Sequence, residues 1–331
     1  MEEDASAYDV TYKKTCSRRG KRQLCDIQAA LLLLFPFFRE LRCVRKCCRE
    51  GPMKRSILLV AYGVATQEGR RVLHAFDGRV RTTFPGYAVR WAFSSDILRR
   101  RLAEERQKSD SVVKALRRMC FERFEQIIVQ PLQTIPGREH EEVLEDVAIV
   151  RAERQLDIRV GTPLLNSRQD VMRLARCLLA YAPQERAPSE DLVFMGHGSR
   201  HPACSLYGEL NAAVQSMDSR VFVGTIDGPV TLDTLLPRLL SRRVWLMPLL
   251  STVGRHTLRD MAGSGSSSWR SRLEAAGHNC LPVLKGTIEH ADIAEIWLDH
   301  LLEAVDAEAD SVSHLREGCD KARSSAVLGE A

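Results

Sequence analysis

The chain has 331 residues, 44 % of them hydrophobic and 27 % charged, a globular usage that excludes a mainly disordered, collagenous or coiled-coil polymer. Its length suits about two domains, each large enough to bury a core without a disulfide scaffold or a metal staple. Residues 1–55 hold 13 Lys/Arg against 7 Asp/Glu in a chain of net charge +5, so the rest is near neutral; it lacks the basic face that a nucleic acid requires and leaves an anionic small molecule open.

Five of the ten cysteines (Cys16, Cys25, Cys43, Cys47 and Cys48) stand in the first 48 residues and the others are scattered singly. That usage predicts a reduced, cytoplasmic body. Cys43, Cys47 and Cys48 lack the second CxxC or the histidine pair of a zinc site. Segment 29–38, AALLLLFPFF, follows a basic stretch in the manner of a signal-peptide core and is too short to span a bilayer. Pro36 interrupts it, no small-x-small cleavage site follows, and Lys21 and Arg22 occupy the place where a twin-arginine signal carries a hydrophobic residue. Residues 1–52 therefore read as a basic, Cys-rich extension: either a targeting segment, which would place the protein in the periplasm, or a stretch preceding a start at Met53.

From Ser56 the pattern alternates buried-type strands with amphipathic helices, the signature of parallel α/β units. Strands are expected at 56–62, 87–93, 126–132 and 157–164, with helical stretches near 67–82, 96–124, 138–154 and 167–181. They make a first domain over 54–182. The segment 182–189 is polar, carries two prolines and serves as a linker. A second domain over 190–307 restarts the cycle with strands at 192–196, 220–226, 243–250 and 280–284 and a last helix near 289–307. The Ser/Ala/Glu-rich residues 308–331 form a frayed tail. No membrane span is expected, and homo-oligomerisation stays open.

An internal repeat organises the body. ILLVAYG at 57–63 parallels LVFMGHG at 192–198, which sets Tyr62 opposite His197. IIVQPLQTIPGRE at 127–139 parallels VWLMPLLSTVGRH at 244–256, which sets Glu139 opposite His256. Two related halves pack about a pseudo-two-fold axis, so that side chains at the carboxyl ends of matched strands face one another across a cleft.

His197 lies between Gly196 and Gly198 at a strand's carboxyl end, where glycines let the backbone turn and a ligand approach. The alternative is an imidazole satisfied by nearby backbone. His256 is expected to open a short helix, 256–261. With an acid from the intervening strand, Asp227, the two histidines make a set suited to a divalent first-row metal with open positions. Asp227 also suits a turn ahead of Gly228. Glu139 stands at a helix amino end, where a carboxylate complements the dipole, and His201, followed by Pro202, is expected in a loop facing solvent. There is no P-loop, no GxSxG elbow and no CxxC, so no nucleotide is expected.

The segments LLVAYG, VQPLQTIPGREHEEV, VFMGHGSRHPA and LMPLLSTVGRHTLRDMAG, the last followed by SW, resemble in this order the anaerobic sirohydrochlorin cobaltochelatase family, class II chelatases of the cobalamin pathway. The likeness runs from about Lys54 to about Leu302. It implies two Rossmann-like, chelatase-type α/β domains and the insertion of divalent cobalt, a substrate metal, into sirohydrochlorin without nucleotide. By the same likeness His197 and His256 bind the metal and accept protons, with His197 and Glu139 as the catalytic pair. Asp227 stands where the family typically has a glutamate as third ligand, and Gln133 where some members have a histidine. Tyr62, Arg90, Arg138, Arg200 and Arg255 are the candidate contacts to the tetrapyrrole and its carboxylates. Other readings are an Fe²⁺ or Ni²⁺ chelatase of the same fold and a non-catalytic metal or tetrapyrrole carrier.

Overall fold

The computed structural model describes residues 53–154 and 156–307; the extension 1–52 and the tail 308–331 lie outside these residues. In the first half, β1 (Arg55–Ala61) is buried from Ser56 to Ala61, as a central strand covered on both faces must be. Thr66 caps α1 (Gln67–Thr83) by accepting from the Gly69 N–H. There follow β2 (Tyr87–Phe93), α2 (Asp96–Glu104), α3 (Val112–Phe121), β3 (Gln126–Pro131), α4 (Arg138–Glu153), β4 (Asp157–Val160) and α5 (Arg168–Ala180). The strands form one parallel sheet in the order β2-β1-β3-β4.

The second half repeats the plan. It comprises β5 (Asp191–Gly198), α6 (Ser205–Met217), β6 (Val221–Asp227), the single turn α7 (Leu232–Leu235), β7 (Arg243–Pro248), a π-helical turn His256–Met261, α8 (Trp269–Ala275) and β8 (Asn279–Pro282). Its parallel sheet has the matching order β6-β5-β7-β8. A last helix, α9, spans 291–307.

Two expected elements differ. The helical stretch 96–124 is two helices: Arg106 takes a left-handed φ of 55° after α2, and Ser111 starts α3 by accepting from the Lys114 N–H. Short polar residues compete with helical hydrogen bonding in this way. The strand expected over 157–164 stops at Val160. Beyond it the Gln130 amide donates to the carbonyls of Thr162 and Pro131, each at 2.9 Å, and Pro163 has no N–H for a ladder.

One core runs through both halves, joining Ile57 and Leu59 of β1, Leu192 and Phe194 of β5, and Ile293 and Trp297 of α9. α9 is laid over the first half. Trp297 meets Phe76 of α1 edge-on at 6.4 Å, Glu295 accepts from Arg79 at 2.5 Å, and His300 Nε2 donates to Asp170 of α5 at 3.2 Å. α5 also packs on α6, and the described residues belong to one compact unit. No helix of the described residues is long and apolar enough to cross a membrane.

Candidate functional site

In each sheet the strand order reverses beside its first strand, between β1 and β3 and between β5 and β7. Chain segments leave such a point in opposite directions, opening a crevice at the carboxyl ends of the strands. Tyr62 and Glu139 follow β1 and β3 in the first half; His197 ends β5 and His256 follows β7 in the second.

The second crevice is built around two imidazoles. The rings of His197 and His256 stand 4.7 Å apart, centroid to centroid, nearly perpendicular. Both glycines flanking His197 are sterically required. A Cβ on Gly196 would lie 2.6 Å from the Tyr207 ring, and one on Gly198, at φ +75°, would strike the Asp227 carbonyl. His197 is thus the one side chain that projects from this stretch, and it is exposed.

Each imidazole is oriented by an acceptor. His197 Nδ1 is 2.8 Å from the Gly198 carbonyl oxygen, and His256 Nδ1 is 2.7 Å from Asp260 Oδ2. A carbonyl and a carboxylate only accept, so each Nδ1 carries a proton, and in the neutral form of each ring Nε2 keeps the lone pair. Such lone pairs can bind a divalent metal or take up a proton.

Glu139, in the first turn of α4, reaches toward His197 from the other half. Burial pushes its carboxyl above the usual carboxylate range; the His197 imidazole opposes that rise and Glu142 adds to it. Glu139, Arg138, Glu142, Tyr62, Asp96 and Ile97 line a concavity of about 430 Å³. Tyr62 is 46 % exposed and Ile97 80 %, which gives this wall an apolar lip. The buried Tyr207 hydroxyl bonds Thr134, just past β3, and the backbone of Gly198, and burial raises the phenol well above its ordinary range.

The remaining expected residues are dispersed. Asp227 pairs with Gly198 in the β5–β6 ladder, on the opposite side of β5 from β7. It lines a second concavity of about 440 Å³ with Arg200 and His201, and no group of three His, Cys, Asp or Glu arranged to hold a metal occurs among the described residues. Arg200 and Arg255 are exposed. Arg138 pairs with Glu142 at 3.2 Å. Arg90 lies in mid-strand opposite Leu58, 3.6 Å from Glu122 and over the Phe124 ring, away from both crevices. The side chain of Gln133 is buried, with neither amide atom partnered among the described residues.

Two features go beyond the residues expected to bind the metal. Asp260 follows His256 as H-x-x-x-D in GRHTLRDMAG, the i, i+4 spacing that sets two side chains on one helical face, and the turn carrying it is π-helical. His201 is half-buried rather than facing solvent: its Nδ1 accepts from the Ala203 N–H, and its Nε2 bonds Glu141 of α4 at 3.0 Å. It is thereby a link between the halves.

Comparison with known proteins adds independent findings. The family model described as Cobalt chelatase (CbiK) matches residues 55–306. The chain is 50 % identical over 261 residues to the sirohydrochlorin cobaltochelatase CbiKC of Nitratidesulfovibrio vulgaris, covering 78 % of this chain and 93 % of that one. It is 28 % identical over 269 residues to the sirohydrochlorin cobaltochelatase of Salmonella typhimurium, covering 79 % of this chain and all of that one. Among solved structures, SirB from Bacillus subtilis with Fe³⁺ superposes with a TM-score of 0.55 at 17 % identity, over 78 % of this chain and 98 % of that one. That likeness bears on the fold, a two-lobed chelatase-type α/β arrangement.

Proposed function

Because the chain belongs to the cobalt chelatase family, we propose that it inserts Co²⁺ into sirohydrochlorin, or a closely related precorrin, in anaerobic cobalamin synthesis. The observation that carries this reading is the pair of imidazoles held 4.7 Å apart with both Nδ1 atoms engaged. Two borderline nitrogen ligands hold a divalent first-row ion while leaving positions open for pyrrole nitrogens.

Insertion breaks two pyrrole N–H bonds as the metal–nitrogen bonds form, so two protons need acceptors. As the metal passes to the macrocycle, the Nε2 lone pairs of His197 and His256 are released and are placed to take them. Glu139, beside His197 and displaced toward higher pKa, is the auxiliary base. Asp227 is the third metal ligand in this reading. Arg138, Arg200 and Arg255 bind the carboxylates of the macrocycle, and Tyr62 with Ile97 supports its apolar face. Arg90, in the middle of β2 opposite Leu58 and away from both crevices, is left out of the binding set. A cytoplasmic setting is supported by Cys120, Cys177, Cys204 and Cys280, all unpaired.

Purified protein given Co²⁺ and sirohydrochlorin is expected to convert the absorbance spectrum of the free macrocycle to that of the cobalt complex with multiple turnovers. Stoichiometric binding without turnover identifies a carrier and overturns the enzymatic reading. Faster insertion of Fe²⁺ or Ni²⁺ in a competition assay overturns the choice of metal.

A further inference from the structure

The two imidazoles are supported differently. His197 leans on a neutral carbonyl of its own strand end, whereas His256 leans on a carboxylate one turn along the helix it opens. That turn is fixed at both ends. The Leu258 N–H bonds the Gly254 carbonyl and the Ala262 N–H bonds the Thr257 carbonyl. Thr257 and Met261 are fully buried, and a Cβ on Gly263 would strike the Arg259 backbone. Wide turns of this kind are rare and concentrate at functional sites. This one brings residues 256 and 260 onto one face. Among the described residues Asp260 has no other hydrogen bond or ion pair, so its carboxylate is committed to His256.

We propose that Asp260 is a positioning residue for the metal: by accepting from Nδ1 it holds His256 in the tautomer whose Nε2 is bare, and it makes His256 the stronger donor of the pair. The inference rests on the chelatase reading above. Outer carboxylates of this kind set the tautomer and raise the basicity of a metal-binding histidine, and their loss costs about 10- to 100-fold in metal affinity. Without the acceptor, the imidazole is free to place its proton on Nε2, where it blocks the metal.

Asp260→Ala and Asp260→Asn in the full chain test this, because asparagine keeps an acceptor oxygen and alanine does not. Nitrogen NMR of ¹⁵N-histidine-labelled, metal-free protein reads the His256 tautomer. The visible ligand-field bands of added Co²⁺ read metal affinity, and quenching of tetrapyrrole fluorescence reads sirohydrochlorin binding. In Asp260→Ala the His256 proton is expected to move toward Nε2, with Co²⁺ affinity falling about 10- to 100-fold and sirohydrochlorin affinity changing less than about twofold. Asp260→Asn is expected to retain the tautomer and most of the affinity. An unchanged tautomer in Asp260→Ala overturns the inference, as do equal losses in both affinities, which would mark a merely structural residue. If the unmodified protein binds no Co²⁺, the chelatase reading fails, and the tautomer alone decides the role of Asp260.

Discussion

The two halves place equivalent corners in equivalent ways and fill them with different chemistry. Gly63 and Gly198, matched in the repeat, both take positive φ, +121° and +75°, and the residue before each, Tyr62 or His197, projects from its strand end into the open. After the third strand in sequence, the loop delivers Glu139 in one half and His256 in the other. One corner therefore offers a ring and a half-buried acid, the other two imidazoles with bare Nε2 atoms. The scaffold fixes where four side chains meet; which four they are decides the reaction.

The proposed function puts the metal at the second corner, and its sharpest test is there. His197→Ala and His256→Ala are each expected to lower Co²⁺ insertion by about 10³-fold or more, since a single imidazole leaves the ion without its paired site. An initial rate within tenfold of the unmodified protein in either variant would break the assignment. The seam between the halves makes the next largest effect. His290, ahead of α9, is 5 % exposed and meets the Tyr181 ring at 4.3 Å. Burial, with Lys285 adding to it, pushes its pKa from 6.5 down to about 4. The unfolded chain then binds the proton first, so stability is complete above about pH 6.5 and falls as the pH drops toward 4, by about 3 kcal/mol in all. Denaturant titrations across that range should show the slope, and His290→Phe should remove most of it.

How far these corners were legible in the sequence follows from what each depends on. Strands buried on both faces read as unbroken apolar runs, so β1, β3, β5 and β7 and the repeat relating them were visible, and with them the positions of Tyr62, Glu139, His197 and His256. The break between α2 and α3 was hidden because RRRLAEERQK has good helix formers throughout, and a left-handed residue such as Arg106 leaves no compositional mark. The amphipathic pattern of α9 shows that one face is buried and cannot show against what; its partners include α1 and α5 of the first half. The link from His201 to Glu141 depends on a distance between side chains sixty residues apart, which periodicity does not encode, whereas the support of His256 by Asp260 is an i, i+4 pair within the expected helix 256–261 and was legible there.

At the first corner, Glu139→Gln is expected to reduce kcat about 10²-fold, the ordinary contribution of one positioned base, with Co²⁺ binding little changed. Because burial raises the Glu139 carboxyl, the acidic limb of the rate profile should lie above the usual carboxylate range, with activity lost as the pH falls and the group takes its proton. In Glu139→Gln that limb should vanish. A limb of unchanged position would transfer the base role elsewhere and leave the first corner as a binding wall alone.

The smallest effect concerns whether the second corner holds two ligands or three. Asp227 lies across the end of β5 from His256, level with Gly198, and is exposed, so its carboxylate must reach over the strand end to join the imidazoles. Asp227→Glu lengthens that reach by about 1.5 Å, one carbon–carbon bond. If Asp227 is a ligand at the limit of its length, Asp227→Glu should tighten Co²⁺ binding several-fold and Asp227→Ala should weaken it by about tenfold, roughly 1.4 kcal/mol. The opposite signs matter more than the sizes, since loss of a mere turn residue ahead of Gly228, itself at φ +137°, would lower stability in both variants and leave Co²⁺ affinity level. Affinities within about twofold of the unmodified protein in both would confine metal binding to His197 and His256.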